Sequence, residues 1–371
     1  MIDHWIPVVS LIICLIQLAY WFFFFLNWRK ISNKPEPSNS IPKPGVSVIV
    51  CAHDEEENLR VLLPLLLEQD YPTFEIIIVE DRCNDGSYDF LLKETAKHSR
   101  VRTVRIKTKP DHIPGKKYAL TLGIKAAQFE TVLLTDADCR PVSQSWIYSM
   151  MKCFGEKTQI VVGLSPYDQT SGLLNGLIRF ESILTGITYG AFTKAGNPYM
   201  GVGRNLAYRK SLFLDNKGFN QHISTMGGDD DLFVNEHATQ ENTVFTADPE
   251  SIVCSISKKS WTSFFSQKIR HLSVGKYYKA KHKLFLAPFY VSYALSVPAI
   301  AAGLLTEQRF WVIGVWIFTT IFLYLTFYQV FKVSTLRQRW SELVFMDLLY
   351  SIYYLALAPV AQFTKKVSWK R

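Results

Sequence analysis

The stretch "TVLLTDADCRP", residues 131–141, is an apolar run that ends in two aspartates, Asp136 and Asp138. Two carboxylates this close in sequence repel each other unless a positive charge lies near them. A polar turn that ends a strand is the simplest interpretation, because aspartate is common in turns. The rest of the chain has to decide between such a turn and a ligand-binding site.

Three further apolar runs of β type precede this stretch and alternate with helical patterns. The four runs predict strands over Val46–Ala52, Glu75–Asp81, Val101–Ile106 and Thr131–Asp138. The patterns between them predict helices over Glu55–Glu68, Ser87–His98 and Lys116–Gln128. Strands that alternate with amphipathic helices indicate βαβ units. The sequence therefore predicts an α/β fold with a mostly parallel, Rossmann-like central sheet.

Acidic residues follow three of the four predicted strands, namely Asp54, Glu55 and Glu56, then Glu80, Asp81 and Asp85, and finally Asp136 and Asp138. Parallel strands bring their carboxyl ends to one edge of a sheet, where ligands of α/β proteins bind. The helix after the third strand begins with Gly115, Lys116 and Lys117, which adds flexible backbone and positive charge at that edge. A divalent cation bridging an anionic ligand would reconcile the carboxylates with the lysines.

Four short motifs in this segment carry a resemblance to a known family. They are "CAHDEEENL", "VEDRCNDGS", "GKKYALTLGI" and "DADC". In this order they resemble the opening motif, the Asp-Asp-Gly-Ser-x-Asp stretch, the Gly-Lys-x-x-Ala-Leu helix start and the Asp-x-Asp motif of family 2 glycosyltransferases. Arg82 and Cys83 depart from the second motif. The resemblance covers about Val46 to His271 and implies the GT-A nucleotide-sugar-binding fold.

The resemblance also implies roles for individual residues on the side of a nucleotide-sugar donor. Glu55 and Asp81 would contact the nucleoside, with Lys116 in the same neighbourhood. Asp136 would help to order the nucleotide, and Asp138 would hold Mg²⁺ or Mn²⁺ on the diphosphate. The chemistry of the residues agrees, because these hard cations prefer oxygen ligands and share phosphate oxygens. Such a metal neutralises the charge that develops on the departing nucleoside diphosphate.

The second half of the chain supplies candidates for the acceptor side. "TMGGDDDLFVNE", Thr225 to Glu236, resembles the family's Glu-Asp or Asp-Asp motif, whose second residue is the general base. Asp230 matches that residue and Asp229 supports it, although the run of three aspartates leaves Asp229 as a rival. "SQKIRHLSVGKYYK", from Ser266, resembles the Gln-x-x-Arg-Trp motif of membrane-bound members, which contacts the diphosphate and the acceptor.

Gln267 and Arg270 match this last motif, and His271 stands where tryptophan is usual. "GVGRNLAYRK", from Gly201, resembles an acceptor-side segment in which Gly203 and Asn205 are weaker candidates. For the aromatic residues Tyr189, Phe192 and Tyr199, contact with the core or the membrane is favoured over contact with a lipid or sugar.

Long uncharged segments predict an integral membrane protein. Hydrophobic residues make up 48% of the chain although 20% of it is charged, because the apolar residues concentrate at the two ends. Ile6–Leu26, Leu284–Leu305 and Phe310–Phe331 are each long enough to cross a bilayer as a helix, and Leu343–Phe363 is a weaker candidate that contains Asp347. Trp28, Arg29 and Lys30 follow the first span, which predicts an uncleaved anchor with the next domain in the cytoplasm.

The predicted organisation has five parts. They are an anchor over 1–28, a linker over 29–44, a catalytic domain over 45–260, an amphipathic interfacial segment over 261–283, and a C-terminal membrane region of two or three helices over 284–371. The net charge of +9 comes largely from residues beside the spans, which favours an anionic lipid surface over nucleic acid as partner. The six cysteines have no zinc-site spacing.

The sequence thus predicts an inverting, metal-dependent glycosyltransferase of the cell inner membrane that acts in envelope glycan or glycolipid synthesis. It would move a sugar from a nucleotide-sugar donor to a lipid or lipid-linked acceptor at the cytoplasmic face. A processive polysaccharide synthase and a non-catalytic nucleotide-sugar-binding membrane scaffold are the alternatives. The donor, the acceptor and the oligomeric state are left open.

Overall fold

The computed structural model describes residues 2–32, 44–337 and 339–363, and the chain divides into two compact units. The sheet unit comprises Pro35–Asp168 and Gly196–Ser257. The helical unit comprises Met1–Lys34, Gln169–Ala195 and Lys258–Arg371.

The described residues form nine strands and twelve α-helices. The strands are β1 (Val46–Ala52), β2 (Phe74–Asp81), β3 (Val101–Ile106), β4 (Thr131–Asp136), β5 (Cys139–Pro141), β6 (Ile160–Gly163), β7 (Leu206–Arg209), β8 (Thr243–Thr246) and β9 (Val253–Ser255). The helices are α1 (Ile2–Ser32), α2 (Glu56–Leu67), α3 (Ser87–Lys97), α4 (Gly115–Ala126), α5 (Trp146–Met151), α6 (Leu173–Lys194), α7 (Lys210–Asp215), α8 (Asp231–His237), α9 (Trp261–Val274), α10 (Ala280–Leu304), α11 (Arg309–Ser334) and α12 (Leu343–Phe363).

The sheet unit is built on a seven-stranded sheet of order β3-β2-β1-β4-β7-β6-β8. The first four strands in this order are mutually parallel, and β7 runs antiparallel to both of its neighbours. β2 is buried along its whole length and β1 and β4 along most of theirs, which explains their nearly continuous Val, Ile and Leu sequences. The predicted mostly parallel α/β sheet is confirmed.

One predicted strand end is wrong. β4 ends at Asp136, whereas the sequence predicts a strand that includes Asp138. Ala137 and Asp138 form a turn, after which the chain enters β5, which leaves the main sheet and pairs antiparallel with β9. The two aspartates therefore lie on a strand end and on the turn that follows it.

The order of the strands defines where a ligand is expected. β2 lies on one side of β1 and β4 on the other, so the direction of the chain connections reverses between β1 and β4. In open α/β sheets this switch point forms a crevice at the carboxyl ends of the strands. Ala52 and Asp136 end the two strands that flank it.

The helical unit contains four helices, among the described residues, that are long and apolar enough to cross a membrane: α1, α10, α11 and the segment Trp340–Ala361, which includes α12. α1 packs against α10 and α11, with Phe24 edge-to-face on Phe289 at 5.1 Å. Asp347, the residue that made Leu343–Phe363 a weaker candidate span, lies in α12 and accepts a hydrogen bond from the Tyr293 hydroxyl of α10. Its carboxylate is therefore satisfied by another helix.

Two features of the helical unit were not anticipated. α6 belongs to this unit although it lies inside the predicted catalytic segment of 45–260, and its Tyr189 and Phe192 are buried, Phe192 against Phe23 at 5.2 Å. α1 continues to Ser32, past the predicted end of the anchor at residue 28, and most of the predicted linker lies outside the described residues.

Candidate functional site

The loops that follow β1 and β2 are joined to each other by hydrogen bonds. His53 Nδ1 lies 2.5 Å from the carbonyl oxygen of Asp81, and Asp54 Oδ1 accepts the backbone N–H of Asn84 at 2.6 Å. Asp54 has a positive φ of 54°, which a residue with a side chain tolerates mainly when its surroundings fix it. The two acidic loops thus form one edge, as the strand-end rule predicts.

Asp81 is buried and paired within this edge. Arg82 Nε and Nη2 donate to its two carboxylate oxygens at 2.7 and 3.1 Å. The bond to Asp81 raises the pKa of the Arg82 guanidinium. The residue that departs from the family motif therefore neutralises one of the predicted nucleoside contacts, and the role of Asp81 stays a prediction. Glu55, the residue before α2, accepts a hydrogen bond from Asn58 Nδ2 at 2.6 Å.

Lys116 joins the first and second halves of the predicted site. Its Nζ lies 2.9 Å from Asp136 Oδ1 at the end of β4 and 3.3 Å from Asp229 Oδ2. Burial acts to lower the pKa of Lys116, but the carboxylates of Asp136, Asp229 and Asp230 raise it well above its usual range. This lysine therefore stays charged and holds together carboxylates that are 93 positions apart, as the numbers of Asp136 and Asp229 give.

Asp136 and Asp138 have ligand atoms that could share a metal ion with Cys139, since these atoms lie within 4.8 Å of one another. The Ser255 hydroxyl lies 3.5 Å from Asp138 Oδ1 and orients it. Burial, together with Asp138, raises the pKa of the Cys139 thiol well above its usual range, so this sulfur is a poor ligand. The two carboxylates remain, and their hard oxygens fit Mg²⁺ or Mn²⁺.

A second acidic group, Asp54, Cys83 and Asp85, is held by structural bonds instead. The oxygens of Asp85 accept the backbone N–H groups of Glu56 and Ser87, each at 3.0 Å, and so cap two helices. Burial raises the pKa of the Cys83 thiol to about 12. These contacts account for the group without a metal.

The three consecutive aspartates have different surroundings. α8 begins at Asp231, so Asp229 and Asp230 precede the helix. Asp230 is the N-cap: its Oδ1 accepts the N–H of Asp231 at 2.8 Å and its Oδ2 accepts the N–H of Gly203 at 2.7 Å. Burial, and then the charge of Asp229, raise the pKa of Asp230. Asp229 is also buried but turns toward Lys116.

Two glycines allow this arrangement. Gly227 and Gly228 precede the aspartates with φ values of 80° and 76°, which side-chain-bearing residues rarely adopt. The turn they make delivers Asp229 into the site and Asp230 to the helix cap.

The segment from Gly201 contributes a residue that the sequence did not indicate. Asn205 proves to be structural: it is fully buried, donates to the carbonyls of Leu164 and Ser251 at 3.0 and 2.7 Å, and accepts from Trp146 Nε1 at 3.0 Å. Its neighbour Arg204 instead packs over the ring of Tyr167, 4.4 Å from the ring centre. Burial acts to lower the pKa of Arg204, but Tyr167, Cys139, Asp138 and Asp136 raise it. In the sequence, Arg204 stands between the candidates Gly203 and Asn205, and no motif marks it as a site residue.

Lys117 was also missed as a site-supporting residue. Only 1% of its surface is exposed, and its Nζ donates to the carbonyls of Thr225, at 2.9 Å, and of His222. Burial lowers the pKa of its ammonium group. Lys117 thereby ties the start of α4 to the loop that leads into Gly227 and the aspartates.

Replacing Lys117 by methionine should loosen this loop. The side-chain volume is nearly kept, but two buried carbonyls lose their donor, which costs about 1–3 kcal/mol of stability. We expect a lower melting temperature and a fall in kcat larger than any change in the donor KM. Lys125→Met, at an exposed position of the same helix, is the control. A Lys117→Met protein with wild-type melting temperature and kcat would contradict this role.

Gln267, Arg270 and His271 lie on α9 of the helical unit. Their spacing places them on one face of that helix. Lys268 of the same helix pairs with Glu181 of α6 at 2.9 Å, which fixes α9 within its unit. The contact of the first three residues with diphosphate and acceptor stays a prediction.

Residues 47–215 match the family profile described as glycosyl transferase family 2. These 169 of the 371 residues form a family 2 glycosyltransferase domain. This confirms the family predicted from the four motifs, and the matched segment carries Glu55, Asp81, Lys116, Asp136 and Asp138.

Two relatives and one solved structure are similar to this chain. The probable glycosyltransferase YdaM of Bacillus subtilis is 27% identical over 277 residues, which are 71% of this chain and 61% of the relative. A poly-beta-1,6-N-acetyl-D-glucosamine synthase of Staphylococcus epidermidis is 30% identical over 129 residues, 32% of this chain and 29% of the relative. This chain thus spans less than two thirds of the length of either relative.

The solved structure is a mannosyltransferase from Pyrobaculum calidifontis in complex with GDP-Man and Mn²⁺. It superposes with a TM-score of 0.62 over 97% of this chain and 99% of its own, at 15% sequence identity. The agreement at this low identity concerns the fold. The predicted GT-A domain with N-terminal and C-terminal apolar helices is confirmed.

Proposed function

We propose that this protein is an inverting, metal-dependent glycosyltransferase that moves a sugar from a nucleotide-sugar donor to a lipid or lipid-linked acceptor at the cytoplasmic face of a membrane. The observation that carries the proposal is the bridge from Lys116 to Asp136 and Asp229. It joins Asp136, proposed for the metal side, to Asp229, proposed for the base side, in one partly buried cluster.

On the donor side, Asp138 would hold Mg²⁺ or Mn²⁺, with Asp136 beside it. The metal supplies charge neutralisation for the leaving nucleoside diphosphate. Ser255 orients Asp138, and Lys116 keeps Asp136 in place while adding positive charge near the phosphates. The Mn²⁺ bound by the Pyrobaculum calidifontis mannosyltransferase supports a divalent cation here.

On the acceptor side, a carboxylate would take the proton of the attacking hydroxyl. The family motif favours Asp230, and its raised pKa suits a base. Both of its oxygens, however, already accept backbone N–H groups, a bonding pattern that a helix cap explains. Asp229 Oδ2 faces Lys116 and accepts no hydrogen bond from the described residues. These contacts favour Asp229 as the base and Asp230 as the residue that positions it.

The processive synthase remains a second candidate. Its support is the similarity to poly-beta-1,6-N-acetyl-D-glucosamine synthase, which extends over 32% of this chain. A non-catalytic scaffold has less support, because an ordered cluster of a lysine and several carboxylates is retained.

A screen of nucleotide sugars tests the proposal. The full chain, purified and reconstituted into membranes with lipid extract, is supplied with each donor and either Mg²⁺ or Mn²⁺. We expect release of nucleoside diphosphate and transfer of one sugar to the lipid fraction with at least one donor. Long polymer products would favour the synthase, and binding of donors without any turnover would favour the scaffold.

The orientation of the membrane helices can be tested with introduced cysteines. Lys157→Cys lies at an exposed loop of the sheet unit, and Gln308→Cys lies at the exposed turn between α10 and α11. In intact cells an impermeant thiol reagent should label Gln308→Cys but not Lys157→Cys, with the parent protein as baseline. The reverse pattern would place the proposed site outside the cytoplasm, away from its donor.

A further inference from the structure

Arg204 lies in the 3₁₀ turn Gly203–Asn205, which precedes β7. Its guanidinium packs over the ring of Tyr167, 4.4 Å from the ring centre, and its Nη2 donates to the carbonyl of Ser165 at 3.1 Å. Its other terminal nitrogen, Nη1, is buried and has no hydrogen-bond partner among the residues that the structure describes. The two N–H groups of Nη1 are therefore unused among these residues.

The surroundings of Arg204 connect it to both sides of the proposed site. Tyr167, over which the guanidinium packs, forms a β-bridge with Ser255, whose hydroxyl lies 3.5 Å from Asp138 Oδ1. The N–H of the preceding residue, Gly203, binds Asp230. The turn thus connects one arginine to the proposed metal carboxylate Asp138 and to the aspartates of the proposed base.

A buried cationic donor without a partner costs free energy, so an unsatisfied group of this kind calls for an explanation, and a bound anion would supply one. Arginine presents a planar fork that matches phosphate oxygens, and bonds between two charged groups are stronger than neutral ones. The anion expected beside the metal-ligand carboxylates is the diphosphate that the metal bridges.

We propose that Arg204 binds a phosphate oxygen of the donor diphosphate and supplies positive charge beside the metal as the nucleoside diphosphate leaves. This inference rests on the proposed function, because it takes the diphosphate of a nucleotide sugar as the ligand. In the structural alternative, Arg204 only holds the 164–168 segment in place through its contacts with Tyr167 and Ser165. The experiment must separate these two roles.

The test measures binding of GDP and UDP, with Mn²⁺, to the full chain in detergent, together with melting temperature and turnover. Whichever diphosphate binds the wild-type protein should bind Arg204→Gln with about 10- to 100-fold lower affinity, the usual range for a lost charged hydrogen bond. Arg204→Lys, which keeps the charge without the fork, should lose less. The affinity for the corresponding nucleoside, which has no phosphate, should not change.

Arg209→Gln is the matched control. Arg209 lies on β7, packs over Phe154 at 5.0 Å and donates to Thr131 at 3.3 Å, where β4 begins rather than ends. The Arg209→Gln protein should at most be less stable than wild type. Equal diphosphate affinity in wild type and Arg204→Gln would overturn the inference, and a raised acceptor KM beside it would assign Arg204 to the acceptor. If wild type binds neither diphosphate and turns over no donor, the proposed function itself fails.

Discussion

Asp138→Ala should reduce glycosyl transfer by about 10³-fold or more, because the metal loses the carboxylate that holds it on the diphosphate and several kcal/mol of transition-state stabilisation are lost with it. Metal-dependent donor binding should disappear in the same variant. The fold should survive, since Asp138 lies on the partly exposed turn after β4 and not in the core. Turnover with titrated Mn²⁺ and Mg²⁺, donor affinity with and without metal, and the melting temperature measure these effects.

Two controls make this result specific. Asp215→Ala, at the exposed end of α7, removes the same charge and should leave turnover unchanged, because α7 follows the end of β7 that pairs with the start of β4. EDTA should inactivate the wild-type protein, and added Mn²⁺ or Mg²⁺ should restore it. Full activity of Asp138→Ala, or of wild type in EDTA, would remove the basis for a metal held at Asp138.

The sequence predicted the first four strands closely because each has six to eight residues rich in Val, Ile, Leu or Thr, and β1, β2 and β4 are mostly buried. β1 and β3 have the predicted bounds, and β2 begins one residue earlier, at Phe74. β5 and β9 have three residues each, and β6, β7 and β8 have four, which is too short for a periodicity to separate strand from loop. The extension of β4 to Asp138 failed because only the pairing of β5 with β9 reveals the turn.

The candidate site was predictable where chain order alone fixes position. The strand-end rule brought Asp81 and Asp136 to one edge without any knowledge of contacts. It could not distinguish Lys116 from Lys117, which are neighbours in sequence. In the structure the first pairs with carboxylates and the second with backbone carbonyls of a loop more than 100 residues away.

Arg204 shows the other limit of the sequence. Its partners Tyr167 and Ser165, and the carboxylates near it, come from other parts of the chain, so nothing local indicates its role. The N-cap role within the aspartate run was conceivable from composition, but which residue takes it depends on the turn made by Gly227 and Gly228.

The three aspartates give the second large prediction, which concerns the general base. Asp229 pairs with Lys116, Asp230 caps the helix and binds the N–H of Gly203, and Asp231 begins the helix, so the three carboxylates have different roles in the structure. Asp229→Asn keeps the volume but removes the proton acceptor that faces Lys116. We expect transfer to fall by about 10²- to 10⁴-fold, the range for lost general-base catalysis. Donor binding should persist, because Lys116 retains Asp136 as its partner.

Asp230→Asn and Asp231→Asn are the comparisons that make this assignment decisive. Asparagine is a good N-cap, so Asp230→Asn should keep the helix start and lose much less activity than Asp229→Asn. Asp231, whose Oδ1 accepts the N–H of Leu232 at the start of α8, should be the mildest site. Donor affinity and turnover are measured for all three. An inactive Asp230→Asn protein beside a nearly normal Asp229→Asn protein would move the base to Asp230. If Asp230 is the base, the rate of the wild-type protein should fall on the acid side at a pH above the ordinary aspartate pKa of about 4. Burial raises the pKa of Asp230, and a base must be deprotonated to act.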